Sequence, residues 1–147
     1  MEEAKFIYVT YIAAPKEKVW NALIDPEVTA RYWQHINESD WKINSVWRHK
    51  RSDGKGIVDL VGKVIEFLPP SKIVLSWAFP ADENNMEKYS RVTLTVESFR
   101  GISMLTVLHD QLEPGSNMLD GIIEGWPKVL ASLKTLLETG EPLPVLW

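Results

Sequence analysis

From Asn117 to Glu138 apolar residues return at helical spacing. Leu119, Ile122, Ile123, Trp126, Leu130, Leu133 and Leu137 form one stripe, with Asp120, Glu124, Lys128, Ala131, Thr135 and Glu138 opposite it. The pattern predicts an amphipathic helix of roughly 30 Å, at about 1.5 Å per residue. Gly140 closes it and Pro142 lies just beyond. Pro127, inside Gly125-Trp126-Pro127, removes one backbone donor and crowds the carbonyl one turn back, so a kink is expected near Ile123 or Glu124. Such a kink either fits the helix to a twisted sheet or frees Met118 to Glu124 as a lid. Trp126 faces the sheet in both cases.

Upstream the pattern is mostly that of strands. Lys5 to Ala13 is rich in β-branched and aromatic residues and predicts the first strand. Pro15 then opens a helix with Val19, Trp20 and Leu23 on one face. Asp25-Pro26 starts a second short helix, closed by Trp33-Gln34-His35 and followed by a loop over Asn37 to Asp40. From Trp41 the period is two. Strands are expected over Trp41 to Lys50, Ile57 to Phe67, Lys72 to Phe79, Tyr89 to Phe99 and Ile102 to Leu112. Ile73, Leu75, Trp77 and Phe79 share one face, as do Val92, Leu94 and Val96. Turns at Ser52 to Gly56, Pro69 to Ser71 and Arg100-Gly101 join them, with a polar loop over Pro80 to Lys88. Short turns make antiparallel neighbours, so the fold class is α+β with one sheet of about six to seven strands. Only the last helix is long enough to cover its apolar face.

A chain of 147 residues with 45% hydrophobic content reads as one globular domain over 1–147. Zero cysteines exclude disulfides, a thiolate nucleophile and Cys-based metal sites, and suit a reducing cytoplasm. The polar start MEEAKFIYVT is no signal peptide, and no apolar run reaches the length of a membrane span. A net charge of -4 without a long basic run argues against nucleic acid; Arg48, His49, Lys50 and Arg51 read as a solvated hairpin end. His35, His49 and His109 show no metal-ligand spacing, and nothing marks a cofactor. No Ser/His/Asp set, phosphate loop or paired acids can be argued. Asp59 and Glu66 fall on opposite faces of their strand, so at most one enters the interior, where it would need a partner such as Arg91.

Seven tryptophans in so small a chain either fill a core of large rings or line a pocket for a flat, lipophilic guest. A sheet curled around one helix leaves its hollow between the two. The expected walls are Trp33, Trp47, Trp77, Leu94, His109, Leu119, Ile122 and Trp126. His109, if it points inward with Leu105 and Val107, offers a polar anchor to a ligand hydroxyl or carbonyl; alternatively it is a strand-end histidine bonded to backbone. His35 is a surface loop residue or a gate. With Leu105 and Val107 inward, Ile102, Met104 and Leu108 form an outward apolar row that fits a homodimer.

The segments IAAPKEKVWNALIDPE, GKVIEFLPPSKIVLSW, LTVLH and GWPKVLASLKTLLE resemble the START-like, helix-grip superfamily. Within it they are most similar to bacterial single-domain relatives of the activator of heat-shock protein 90 ATPase, in its C-terminal domain. Asn44 stands where that family has glycine. The resemblance implies a curved antiparallel sheet gripping the C-terminal helix over an apolar cavity, and a histidine kept at the position of His109. Relatives bind lipids, sterols, polyketides, plant hormones and aromatic compounds, and a minority are cyclases or hydrolases. Eukaryotic chaperone activators carry a further N-terminal domain for which this chain has no room. The expected partner is therefore a small lipophilic or aromatic molecule. An enzyme of the polyketide cyclase or hydrolase type, with His109 or a strand carboxylate moving a proton, is the first alternative. A chaperone-modulating or homodimeric interaction domain is the second.

Overall fold

Alternating side chains build the sheet, and one capped helix closes it. The computed structural model describes residues 3–144; the tail ending in Trp147 lies outside them. In chain order come β1 (Ala4–Ile12), α1 (Lys16–Ile24), α2 (Pro26–Tyr32), β2 (His35–Glu38), β3 (Val46–Arg51), β4 (Val58–Leu68), β5 (Lys72–Trp77), β6 (Ser90–Phe99), β7 (Ile102–Leu112) and α3 (Asn117–Thr139). The seven strands form one antiparallel sheet in the order β1-β7-β6-β5-β4-β3-β2. Each strand from β2 to β7 lies beside the next, as short connections require, and β7 then meets β1. Helix α3 returns across the inner face, nearest β1 and β7, with α2 at its flank. This is the helix-grip arrangement.

Local chemistry sets the helix ends. The Asp25 side chain accepts from Glu27 N–H, and Pro26 fills the first helical position. Ser116 Oγ accepts from Leu119 N–H at the start of α3, and Gly140 ends it at φ 91°, a left-handed conformation that glycine adopts freely. The helix runs unbroken through Pro127. Its buried stripe is Ile122, Trp126, Val129, Leu130, Leu133 and Leu136. Ile123 is 49% exposed, because one residue further round at 100° carries it off the sheet. Towards its C-terminal end α3 packs solidly with Ile73, Leu75, Val92, Val96, Leu105 and Val107. There it also blunts the free edge of β1: Lys134 Nζ donates to Tyr11 O, and Ala13 N–H donates to Glu138 Oε2.

Three local departures from the sequence pattern have physical causes. His35 to Glu38 is strand β2, not the end of a helix and a loop, although Ile36 is its one aliphatic residue. Its inward residue Asn37 is held by a hydrogen bond from β3, so polar pairing does the work that hydrophobic alternation does elsewhere. Strand β3 begins only at Val46, because Trp41 (φ 61°) and Asn44 (φ 69°) turn the chain with left-handed residues. Asn tolerates that conformation better than other residues with a side chain, so Asn44 keeps the turn a glycine would make. Phe79, expected inside, lies beyond the end of β5 and is 40% exposed.

One feature of the sheet depends on a single missing Cβ. Trp47 on β3 sits opposite Gly62 on β4, and its indole crosses that glycine to donate to Ser76 O at 2.8 Å. Ser76 thus gives its carbonyl to a side chain, and its hydroxyl accepts the Lys63 N–H at 2.8 Å. A Cβ on Gly62 would stand 1.8 Å from Ser76 O and 2.4 Å from Trp47 Nε1.

Candidate functional site

Beside the first half of α3 a cleft of about 440 Å³ opens to solvent. That volume suits a drug-sized ligand. Trp33, Trp77 and Trp126 supply three indole walls, with Leu60, Phe79, Met118, Ile122 and Val129 completing a mostly apolar surface. The indole centroids lie 5.5 Å (Trp33–Trp126) and 5.6 Å (Trp77–Trp126) apart. On the helix side, Gly121 and Gly125 stand one turn apart on the lining, and a Cβ at either would meet nothing within 4 Å. Each costs the helix roughly 1 kcal/mol relative to alanine. These two glycines keep the helical wall low.

One end of the cleft is polar. Asp59 receives Arg51 Nε and Nη2 at 2.8 and 3.0 Å, a bidentate pair, and His35 Nε2 at 2.8 Å. The Arg51 guanidinium, followed by His35, holds the Asp59 carboxyl below the usual carboxylate range against partial burial. His35 Nδ1 faces Trp33 O at 3.0 Å. Both ring nitrogens of His35 therefore face oxygens that only accept. His49 stacks on that ring, centroids 4.1 Å apart and planes within 4°. It is 3% exposed, and its Nδ1 lies 2.7 Å from Asn37 Oδ1. Burial first, and then electrostatic interaction with the His35 ring beside it, push the His49 imidazole well below the ordinary histidine value.

Of the residues expected to form the walls, Trp33, Trp77, Ile122 and Trp126 meet around the cleft, whereas Trp47, Leu94, His109 and Leu119 stand off its lining. Trp47 is sealed behind Trp77 by its bond to Ser76. Leu94 lies deeper, on the wall of a small enclosed void that it shares with Trp33, Trp77 and Trp126. Leu119 is half-buried one position round from Met118, which takes the wall. His109 does point inward with Leu105 and Val107, but lies fully buried beneath Trp77 and Trp126. Trp126 Nε1–H donates to its Nδ1 at 3.2 Å, and its Nε2 lies 2.8 Å from Ser90 Oγ, which in turn donates to Trp77 O. An indole only donates, so the proton of the neutral ring sits on Nε2. Burial lowers His109 to about 3. It is a neutral strut, not an anchor facing the cleft.

The polar end was not legible as a site. His49 and Arg51 read as a solvated hairpin, and Arg91 as the partner of any inward acid. Arg91 instead pairs with Asp110, and Glu66 with Lys72. A register shift after His49, where β4 carries the extra residue Asp59 against β3, accompanies the meeting of Arg51 and Asp59. Among the described residues no group of three or more His, Asp or Glu is placed to hold a metal ion, and no helix is long and apolar enough to cross a membrane.

Known structures share this architecture. CalU16 from Micromonospora echinospora superposes with a TM-score of 0.74 at 20% identity, over 94% of this chain and 78% of that one. The Aha1 dimer from Colwellia psychrerythraea gives 0.72 at 19%, over 93% and 98%. PFC0360w, an HSP90 activator from Plasmodium falciparum, gives 0.73 at 23%, over 90% and 95%. These likenesses establish the fold. Comparison with curated proteins finds none that matches the sequence. Residues 13–138 match the family described as Activator of Hsp90 ATPase homolog 1-like protein, which is most of the chain. The chain belongs to that family.

Proposed function

We propose that the protein binds a small lipophilic or aromatic molecule in the cleft between α3 and the sheet. The observation that carries this reading is the cleft itself: about 440 Å³, open to solvent, and walled by three indoles. The two helix glycines support it, since they weaken α3 only where it borders the cleft. Lack of cysteine suits the reducing cytoplasm, where we place the protein.

A panel of flat lipophilic compounds should change the intrinsic tryptophan fluorescence saturably. Gly125→Leu tests the location. Its Cβ enters open space and leucine favours the helix, so the variant should fold with equal or greater stability while losing ligand affinity by about tenfold or more. A panel without any saturable response, or full affinity in Gly125→Leu, would remove the reading.

A second reading, self-association, rests on the outer face of the sheet. Ile7, Val9 and Tyr11 of β1 are exposed beside Leu108, Thr106 and Met104 of β7, and Phe99 packs on Tyr11 with centroids 5.4 Å apart. The similar Aha1 from Colwellia psychrerythraea was solved as a dimer. Sedimentation at tens of micromolar should give a dimer mass that Val9→Lys reduces to the monomer; a monomer mass for the native chain ends this reading.

A further inference from the structure

Two orphaned polar groups of opposite sense border the cleft. His49 Nδ1 lies 2.7 Å from Asn37 Oδ1, an oxygen that only accepts, so Nδ1 carries the ring proton and Nε2 presents a lone pair. Nε2 has no partner among the described residues, although His49 lines the cleft and is 3% exposed. Around it, the His35 ring nitrogens face Trp33 O and Asp59, and Arg51 turns Nε and Nη2 to Asp59. Trp77 Nε1 is a buried donor with no acceptor among the described residues, on a ring whose centroid lies 6.2 Å from that of His49. The buried Trp77 donor is costly to leave unmet, and the His49 lone pair belongs to a residue of the solvent-open cleft and has no protein donor.

Resting on the ligand-binding reading above, we infer that the guest is a planar aromatic bearing a hydroxyl, a phenol or enol, whose O–H donates to His49 Nε2. Its flat ring lies among the indoles of Trp33, Trp77 and Trp126. A carboxylate in the same place would set negative charge against a lone pair, because the nearby positive charge of Arg51 is already engaged by Asp59. His49 does not relieve this by protonating, because it is desolvated and stacked on a second imidazole, His35.

The inference is tested on the native protein with 2-naphthol and its methyl ether, 2-methoxynaphthalene, at neutral pH. The ether keeps shape, ring and acceptor oxygen and loses only the donor. Dissociation constants are read from the indole N–H resonances in a nitrogen-15 NMR titration. The phenol should bind about tenfold or more tightly than the ether, and in His49→Phe the two should fall within about twofold. If His49→Phe fails to fold, the matched pair on the native chain still decides. Ether binding as tight as phenol, with the indole resonances of the cleft shifting for both, overturns the inference and leaves the cleft a binding site. Failure of both compounds and of the wider lipophilic panel overturns the binding reading together with it.

Discussion

Gly62→Ala is expected to cost roughly 4 kcal/mol or more of folding stability, read from the midpoint of a urea titration. The added methyl carbon would lie 1.8 Å from Ser76 O and 2.4 Å from Trp47 Nε1. Neither neighbour is a flexible tip that can swing aside. Ser76 O is backbone in a central strand, and the Trp47 indole is fully buried between Trp77 and His49. Either β5 separates from β4, with loss of ladder bonds, or the indole leaves and its bond to Ser76 O goes unmade. Overpacking of this kind costs about 1–3 kcal/mol and an orphaned buried pair about as much again. Trp47→Phe in the Gly62→Ala background should recover part of the loss, because a phenyl ring is shorter than an indole. A near-wild-type midpoint for Gly62→Ala would show that the indole does not cross the strand as described.

That glycine marks where the sequence was easy to read and where it was not. Element order, strand count and the gripping helix follow from alternation and from capping residues that act within a few positions: Asp25-Pro26, Ser116, Gly140. The inward sets Val92, Leu94, Val96 and Leu105, Val107 are likewise local properties of β-strands. Half the site was visible for the same reason. Trp77, Ile122 and Trp126 point inward because period and helix phase put them there, and Trp33 because α2 ends on it. What escaped depends on pairing between distant positions. His49 and Asn37 meet through strand register, Arg51 and Asp59 beside a bulge, and His35 belongs to a strand whose inward partner is polar. Depth along the cavity axis was equally hidden. His109, Trp47 and Leu94 all face inward, but they lie behind or beyond the open part of the hollow. A side-chain period reports a face; it carries no information about how much space that face encloses.

The buried histidines also make stability depend on acidity, with a sign set by their neutral native form. His109 is about 3 in the folded state, against about 6.5 for an unfolded histidine, so the unfolded chain binds more protons between these values. The stability His109 contributes is complete above pH 6.5 and is lost as pH falls through the window toward 3. One such group costs about 2 kcal/mol by pH 5, where most unfolded carboxyls are still ionised. His49, lowered by burial in the same direction, adds to the slope. His109→Gln separates the two. A glutamine amide can accept from Trp126 Nε1–H through Oε1 and donate to Ser90 Oγ through Nε2, which copies the polarity of the histidine. Denaturant midpoints at pH 7 and pH 5 should therefore drop further in the native protein than in His109→Gln, by about 2 kcal/mol once converted to free energy. Equal drops would mean that His109 is protonated in the folded state, and then the Trp126 indole could not be its donor.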